Sequence, residues 1–122
     1  MGVTAIDHVL LAMPPGGEAE GLAFYCGLLG FTEIPKAASL AGRGGVWMTA
    51  GSAVLHLGRE DGFTAPKRAH PAFLVDDLDA LIETLRAANV ELQFDVPLPG
   101  YKRVHARDPF GNRLELMEKL SA

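Results

Sequence analysis

The sequence predicts an α+β protein built from two tandem β-α-β-β-β units, and three observations carry that expectation. First, landmarks recur at a near-constant spacing: His70 follows His8 by 62 residues, Asn89 follows Gly30 by 59, and Glu115 follows His56 by 59. Two copies at such a period point to two halves closing on each other rather than to a solenoid. Second, each half holds one stretch with apolar residues at i, i+3, i+4 and i+7: Leu22, Tyr25, Cys26 and Leu29, then Leu78, Leu81, Ile82 and Leu85. Third, Asp108-Pro109-Phe110-Gly111-Asn112 has the residue order of a type I turn, and the alternation after it reads as a strand entered from a hairpin.

Taken in order, the apolar run at residues 4–13 is expected to be a strand with His8 inside it, ended by Pro14-Pro15-Gly16-Gly17. A helix from about Glu18 to Leu29 follows, closed by Gly30 with Phe31 as its hydrophobic contact. Strands are expected near 31–35, 44–50 and 52–58, separated by the Gly-rich 41–45, read as a hairpin turn, and by Gly51-Ser52. Residues 59–68 are polar and aperiodic and read as a linker. The second unit opens with a strand at 69–75, and Asp76-Asp77 gives the N-cap signal of a helix that Asn89 ends. Strands near 91–95, 101–107 and 112–118 complete it. The expected organisation is one domain over 1–122, with unit one at about 4–58, the linker at about 59–68 and unit two at about 69–118.

Apolar residues make up 48% of the chain and charged ones 21%, an ordinary globular mix in which 122 residues can bury a core. The net charge of −4 argues against nucleic acid or an anionic membrane surface as partner and leaves small molecules or proteins. No apolar run reaches membrane-spanning length, and the first residues lack the basic segment and apolar stretch of an export signal. Ile6 stands where a myristoylation signal requires Ser or Thr. The single Cys26 permits no internal disulfide and is compatible with a reducing cytoplasm, the expected location.

Side chains alternate along a strand, so Leu114 and Leu116 share one face while Arg113, Glu115 and Met117 share the other. A carboxylate held between leucines costs on the order of several kcal/mol if left alone, so Glu115 must reach water, pair with a cation or bind a metal. His8 and His70 occupy the same place in the first strand of each half, and His56 and Glu115 the same place in the last. If the halves pair pseudo-symmetrically, four metal-competent side chains converge. Imidazoles with a carboxylate suit Fe(II), Ni, Co, Mn or Zn, and two histidines with one carboxylate leave positions open for a substrate.

Ile6-Asp7-His8-Val9, Phe24-Tyr25 through Leu28-Leu29-Gly30-Phe31, His70 to Val75 with Asp76-Asp77-Leu78, and Asp108 to Asn112 with Leu114-Glu115-Leu116 together resemble the vicinal oxygen chelate superfamily. That family is also called the glyoxalase, bleomycin-resistance and dioxygenase family, and the resemblance covers nearly the whole chain. It implies a curved mixed sheet whose concave face holds a divalent metal, and a homodimer. Carried across, His8, His70 and Glu115 fall on the ligand positions shared by the dioxygenases and fosfomycin-inactivating transferases, and His56 on the fourth ligand position of glyoxalase I. That fourth position is commonly Glu in glyoxalase I, so His56 departs from the pattern, although a histidine can act as a base near neutrality. Pro71 confines its strand to an edge or bulge, where the resemblance also places it.

The implied function is a metal-dependent enzyme acting on a small substrate chelated through neighbouring oxygens, with His56 and Glu115 as catalytic groups. Glyoxalase-like lyase or isomerase chemistry, ring-cleaving dioxygenation and thiol addition to an epoxide are all compatible. The alternatives are a metal-free protein that sequesters a small molecule, as bleomycin-binding proteins do, and a regulatory or immunity-like partner. The remaining residues receive plainer readings. His105 is expected on a strand surface rather than lining the cavity as an acid or base, Lys67-Arg68 and Lys102-Arg103 as solvated pairs rather than attractors of an anionic substrate, and Pro97 to Tyr101 as a simple connection rather than a loop over the site. Trp47, Met48, Phe73 and Phe94 read as core, and Cys26 as an unreactive thiol on the buried helix face.

Overall fold

Each half of the chain folds its strands into a four-stranded mixed sheet with one α-helix, the α+β arrangement that the repeat predicts. The computed structural model describes residues 1–121, which divide into two compact units, Met1–Phe63 and a second beginning at Thr64. The first holds β1 (Val9–Met13), α1 (Glu18–Tyr25), β2 (Thr32–Ile34), β3 (Val46–Ala50) and β4 (Ala53–Arg59), with strand order β1-β4-β3-β2. The second holds β5 (Ala72–Leu74), α2 (Leu78–Ala87), β6 (Leu92–Gln93), β7 (Tyr101–Arg107) and β8 (Arg113–Lys119), with order β5-β8-β7-β6. In both, the first strand lies at an edge, parallel to the last, and the other pairs are antiparallel.

The period of two decides which face of each sheet is buried. In the first unit Val46, Met48, Leu55 and Leu57 pack with Met13, Phe24, Tyr25 and Phe31, leaving Trp47 and His56 on the opposite face. In the second, Val104, Ala106, Leu114 and Leu116 pack with Leu78 and Leu85 of α2, leaving Arg103, His105, Arg113 and Glu115 opposite. The helix ends follow local chemistry. Asp77 caps α2 by accepting from the Ala80 amide at 3.1 Å, and Asn89 takes the left-handed φ of 59° that ends it. Gly30 is left-handed too, with φ 81°, but it lies beyond the turn that follows α1.

Several boundaries differ from expectation. His8 lies one residue ahead of β1 and His70 two ahead of β5, because ladder pairing starts only at Val9 and Ala72. The first helix stops at Tyr25, and its buried residues are Gly21, Phe24 and Tyr25. Leu28 and Leu29 belong to a turn whose amides donate to Phe24 O. Residues Ala38–Arg43, ahead of the left-handed Gly44 and Gly45, form a 3₁₀ helix where a plain hairpin turn was expected. Phe94, read as core, is 56% exposed because β6 ends at Gln93. Among the described residues no helix is long and apolar enough to cross a membrane.

Candidate functional site

The turn at Asp108 sets the register of the second unit's site. Asp108 Oδ1 accepts from the amides of Phe110 and Asn112 at 2.9 and 2.8 Å, and Oδ2 accepts from Asn112 Nδ2 at 2.9 Å. Gly111 supplies the φ of 90° the turn requires. With the hairpin closed there, Arg107 faces Arg113 and, one same-face step along each strand, His105 faces Glu115. On its other side Glu115 neighbours Ala72 of β5, and its amide donates to Pro71 O at 3.0 Å, which draws His70 alongside.

The Glu115 carboxylate is buried and meets three cationic or ligating groups. His70 Nε2 lies 3.0 Å from Oε1, His105 Nε2 lies 3.6 Å from Oε1, and Arg103 Nη1 donates to Oε2 at 3.2 Å. One donor atom each from His70, His105 and Glu115 fall within 4.8 Å of one another. Burial pushes the Glu115 carboxyl up, but the hydrogen bonds from His70 and Arg103 outweigh it and leave the carboxyl below its ordinary value. Burial, and then the charge of Arg113, hold His105 below the usual imidazole value, so it is neutral at pH 7. Among the described residues its buried Nδ1 has no hydrogen-bond partner.

This donor set fits a divalent ion. His70 Nδ1 lies 2.8 Å from Arg68 O, and a carbonyl can only accept, so Nδ1 carries the proton. With Nδ1 committed to that carbonyl, Nε2 is the atom that meets the Glu115 carboxylate, and the 3.0 Å approach needs a proton or a metal ion between them. An imidazole oriented by a carbonyl on its far nitrogen is the usual outer support of a metal-ligating histidine.

Of the four residues singled out by the sequence, His70 and Glu115 meet directly in the second unit. His8 and His56 meet in the first: their rings stack at 4.1 Å and 20°, and Trp47 stacks on His56 at 4.1 Å and 2°. His8 Nδ1 donates to Asp7 Oδ2 at 2.9 Å, leaving Nε2 free. Burial, and then the nearby His8, lower the His56 pKa. Two expectations are corrected. His105 is buried, at 3% exposure, and belongs to the Glu115 cluster. Arg103 is the half-buried counter-ion of Glu115 and not a solvated charge, while its neighbour Lys102 does pair at the surface, with Asp79. The register across the Asp108 turn was the signal that could have found both.

A family model described as Glyoxalase/Bleomycin resistance protein/Dioxygenase superfamily matches residues 5–116. Among solved structures, a glyoxalase family protein from Bacillus anthracis is 42% identical, covers 98% of each chain and superposes with a TM-score of 0.92. A variant of the fosfomycin resistance protein FosX from Listeria monocytogenes, complexed with Mn(II) and a dihydroxypropylphosphonic acid, is 18% identical over 98% of this chain and 95% of that one, with a TM-score of 0.80. The antibiotic binding protein TnmS3 from Streptomyces sp. CB03234 is 18% identical over 98% and 99%, with a TM-score of 0.73. At 18% the likeness is one of fold alone. A comparison with curated proteins finds no match.

Proposed function

This chain belongs to the Glyoxalase/Bleomycin resistance protein/Dioxygenase superfamily, and on that footing we propose that it is a divalent-metal-dependent, glyoxalase-like enzyme acting on a small, oxygen-rich substrate. The observation that carries the reading is the approach of His70 Nε2 to Glu115 Oε1 at 3.0 Å while Nδ1 is committed to Arg68 O. His70, His105 and Glu115 would hold the ion, which when bound would act as a Lewis acid toward two neighbouring substrate oxygens and stabilise developing negative charge.

The chain's own groups divide the remaining work. Arg103 anchors Glu115 through Oε2 and leaves Oε1 toward the imidazoles. His105, neutral at pH 7, has one imidazole lone pair to offer, which as a ligand it would give to the ion. His8 is kept as a proposed further ligand and His56 as fourth ligand or base, its lowered pKa favouring the neutral form with a lone pair to give. Lyase or isomerase chemistry is the reading we favour over dioxygenation or epoxide opening. FosX, with Mn(II) and a phosphonic acid, lends the fold a precedent for a metal beside a small polar ligand. Residues 1–122 are proposed to act as one domain, as a homodimer, in the cytoplasm.

A second reading, metal-free sequestration of a small molecule, is favoured by Arg103. Its guanidinium already compensates the buried Glu115 charge at 3.2 Å, so the carboxylate has a role without an ion. Elemental analysis of protein purified without a histidine tag or chelator decides between them. Near-stoichiometric metal, lost in Glu115→Ala, supports the enzyme. No metal, even after reconstitution with several divalent ions, overturns it in favour of the binder.

A further inference from the structure

The first unit carries a cavity of about 720 Å³ on the sheet face opposite its core. Its floor is a row of residues that the strand register sets side by side: Leu10, His56, Trp47 and Ile34, one from each strand. The Trp47 indole and His56 imidazole are parallel to within 2° at 4.1 Å, and His8 stacks on the same imidazole at 4.1 Å and 20°, so three flat rings already form a stack to which a further ring can add.

Three cations gather at one corner of this cavity, around Gly44. Lys36 Nζ donates to Gly44 O, Arg43 precedes Gly44 in the chain, and a Cβ on Gly44 would lie 3.7 Å from Arg59 Cδ. The corner is fixed by backbone that only glycine tolerates: Gly45 has a φ of 85°, and a Cβ there would meet Leu57 O at 2.3 Å. The nearby acids are engaged in part. Asp7 accepts from His8 Nδ1, and Asp61 lies 4.0 Å from Arg59 Nε. Among the described residues neither Lys36 nor Arg43 forms an ion pair. In a chain of net charge −4, this is a local excess of positive charge beside an aromatic floor.

We propose that this cavity binds a planar aromatic carboxylate, its ring extending the Trp47–His56 stack and its carboxylate held by Lys36, Arg43 and Arg59. An arginine fork matches a carboxylate's two oxygens, and a ring at the stack supplies the apolar contact that an aliphatic acid lacks. The proposal does not depend on a metal, and its test contains none.

Trp47 is the one tryptophan of the chain, so its emission reports this site alone. The probes are 4-nitrobenzoate, its neutral analogue 4-nitrobenzamide, and cyclohexanecarboxylate, which keeps the charge without the plane and is followed by calorimetry. Saturable quenching by the nitrobenzoate is expected, with the amide and the cyclohexane acid each at least tenfold weaker. Arg43 is exposed, so Arg43→Gln is expected to fold as the parent does; it should weaken the nitrobenzoate toward the amide's level, while Arg43→Lys retains most of the binding. Quenching that stays linear, equal affinity for acid and amide, or full binding in a Lys36→Gln, Arg43→Gln double variant would overturn the assignment.

Discussion

His70 Nε2 stands 3.0 Å from Glu115 Oε1 across 45 residues of sequence, and His105 approaches the same oxygen to 3.6 Å from the neighbouring strand. Removing either imidazole leaves this cluster two donors, too few by themselves to hold a divalent ion tightly. His105→Phe, which preserves the ring's volume, is expected to lower Co(II) or Zn(II) affinity by roughly 100-fold, the upper end of what loss of even an outer partner costs. Calorimetric titration of metal-free protein measures it. An unchanged affinity would remove His105 from the ligand set and return the choice to His8 and His56.

Glu115 also bears on the metal-free fold. Its side chain is 10% exposed and that of Arg103 17%, so the pair lies largely out of water. Glu115→Leu strands the guanidinium and is expected to cost about 3 kcal/mol, read from urea unfolding, while Arg103→Met added to it should recover most of the loss. The carboxyl lies below its ordinary value when folded. Its contribution is therefore full above the unfolded carboxylate pKa and lost as pH falls through the lower folded value. Acid unfolding of Glu115→Gln should lack that component.

The stop of α2 and the Asp108 turn could be read from sequence because each depends on residues close in the chain. Asn89 ends α2 through its own backbone freedom, whereas α1 stops at Tyr25, ahead of the left-handed Gly30, and Leu114 and Leu116 declare a buried face by alternation alone. His105 and Arg103 could not be valued the same way. Their burial depends on which strand lies opposite, and that requires the hairpin register to be counted through the turn. Phe94 misled for the complementary reason: its hydrophobicity suggests core, but β6 ends one residue before it.

The same turn offers a separable test of how local chemistry reaches the site. Asp108→Ala removes the acceptor of three hydrogen bonds, two from buried Asn112. A loss of about 3 kcal/mol in unfolding free energy is expected, with Asp108→Asn intermediate because it keeps one acceptor oxygen. If the hairpin register holds His105 opposite Glu115, Asp108→Ala also weakens metal binding without touching a ligand. Wild-type metal affinity in a folded Asp108→Ala protein would show that the rest of the β7–β8 ladder suffices.

Cys26 follows α1 and is half-buried. Burial raises its thiol pKa, the charge of Glu33 raises it further, and a hydrogen bond from the Glu33 amide only partly offsets them. The reactive species is the thiolate, so a raised pKa keeps the sulfur protonated, and slow to react, to a higher pH than in an unstructured peptide. Alkylation by iodoacetamide at pH 8 should therefore be several-fold slower than for a free cysteine peptide, and the rate should keep rising with pH after the peptide's has levelled. Glu33→Gln removes the negative charge and should shift the profile to lower pH while leaving the thiol as buried as before. If the two proteins give the same pH–rate profile, burial alone sets the thiol and Glu33 contributes nothing to it.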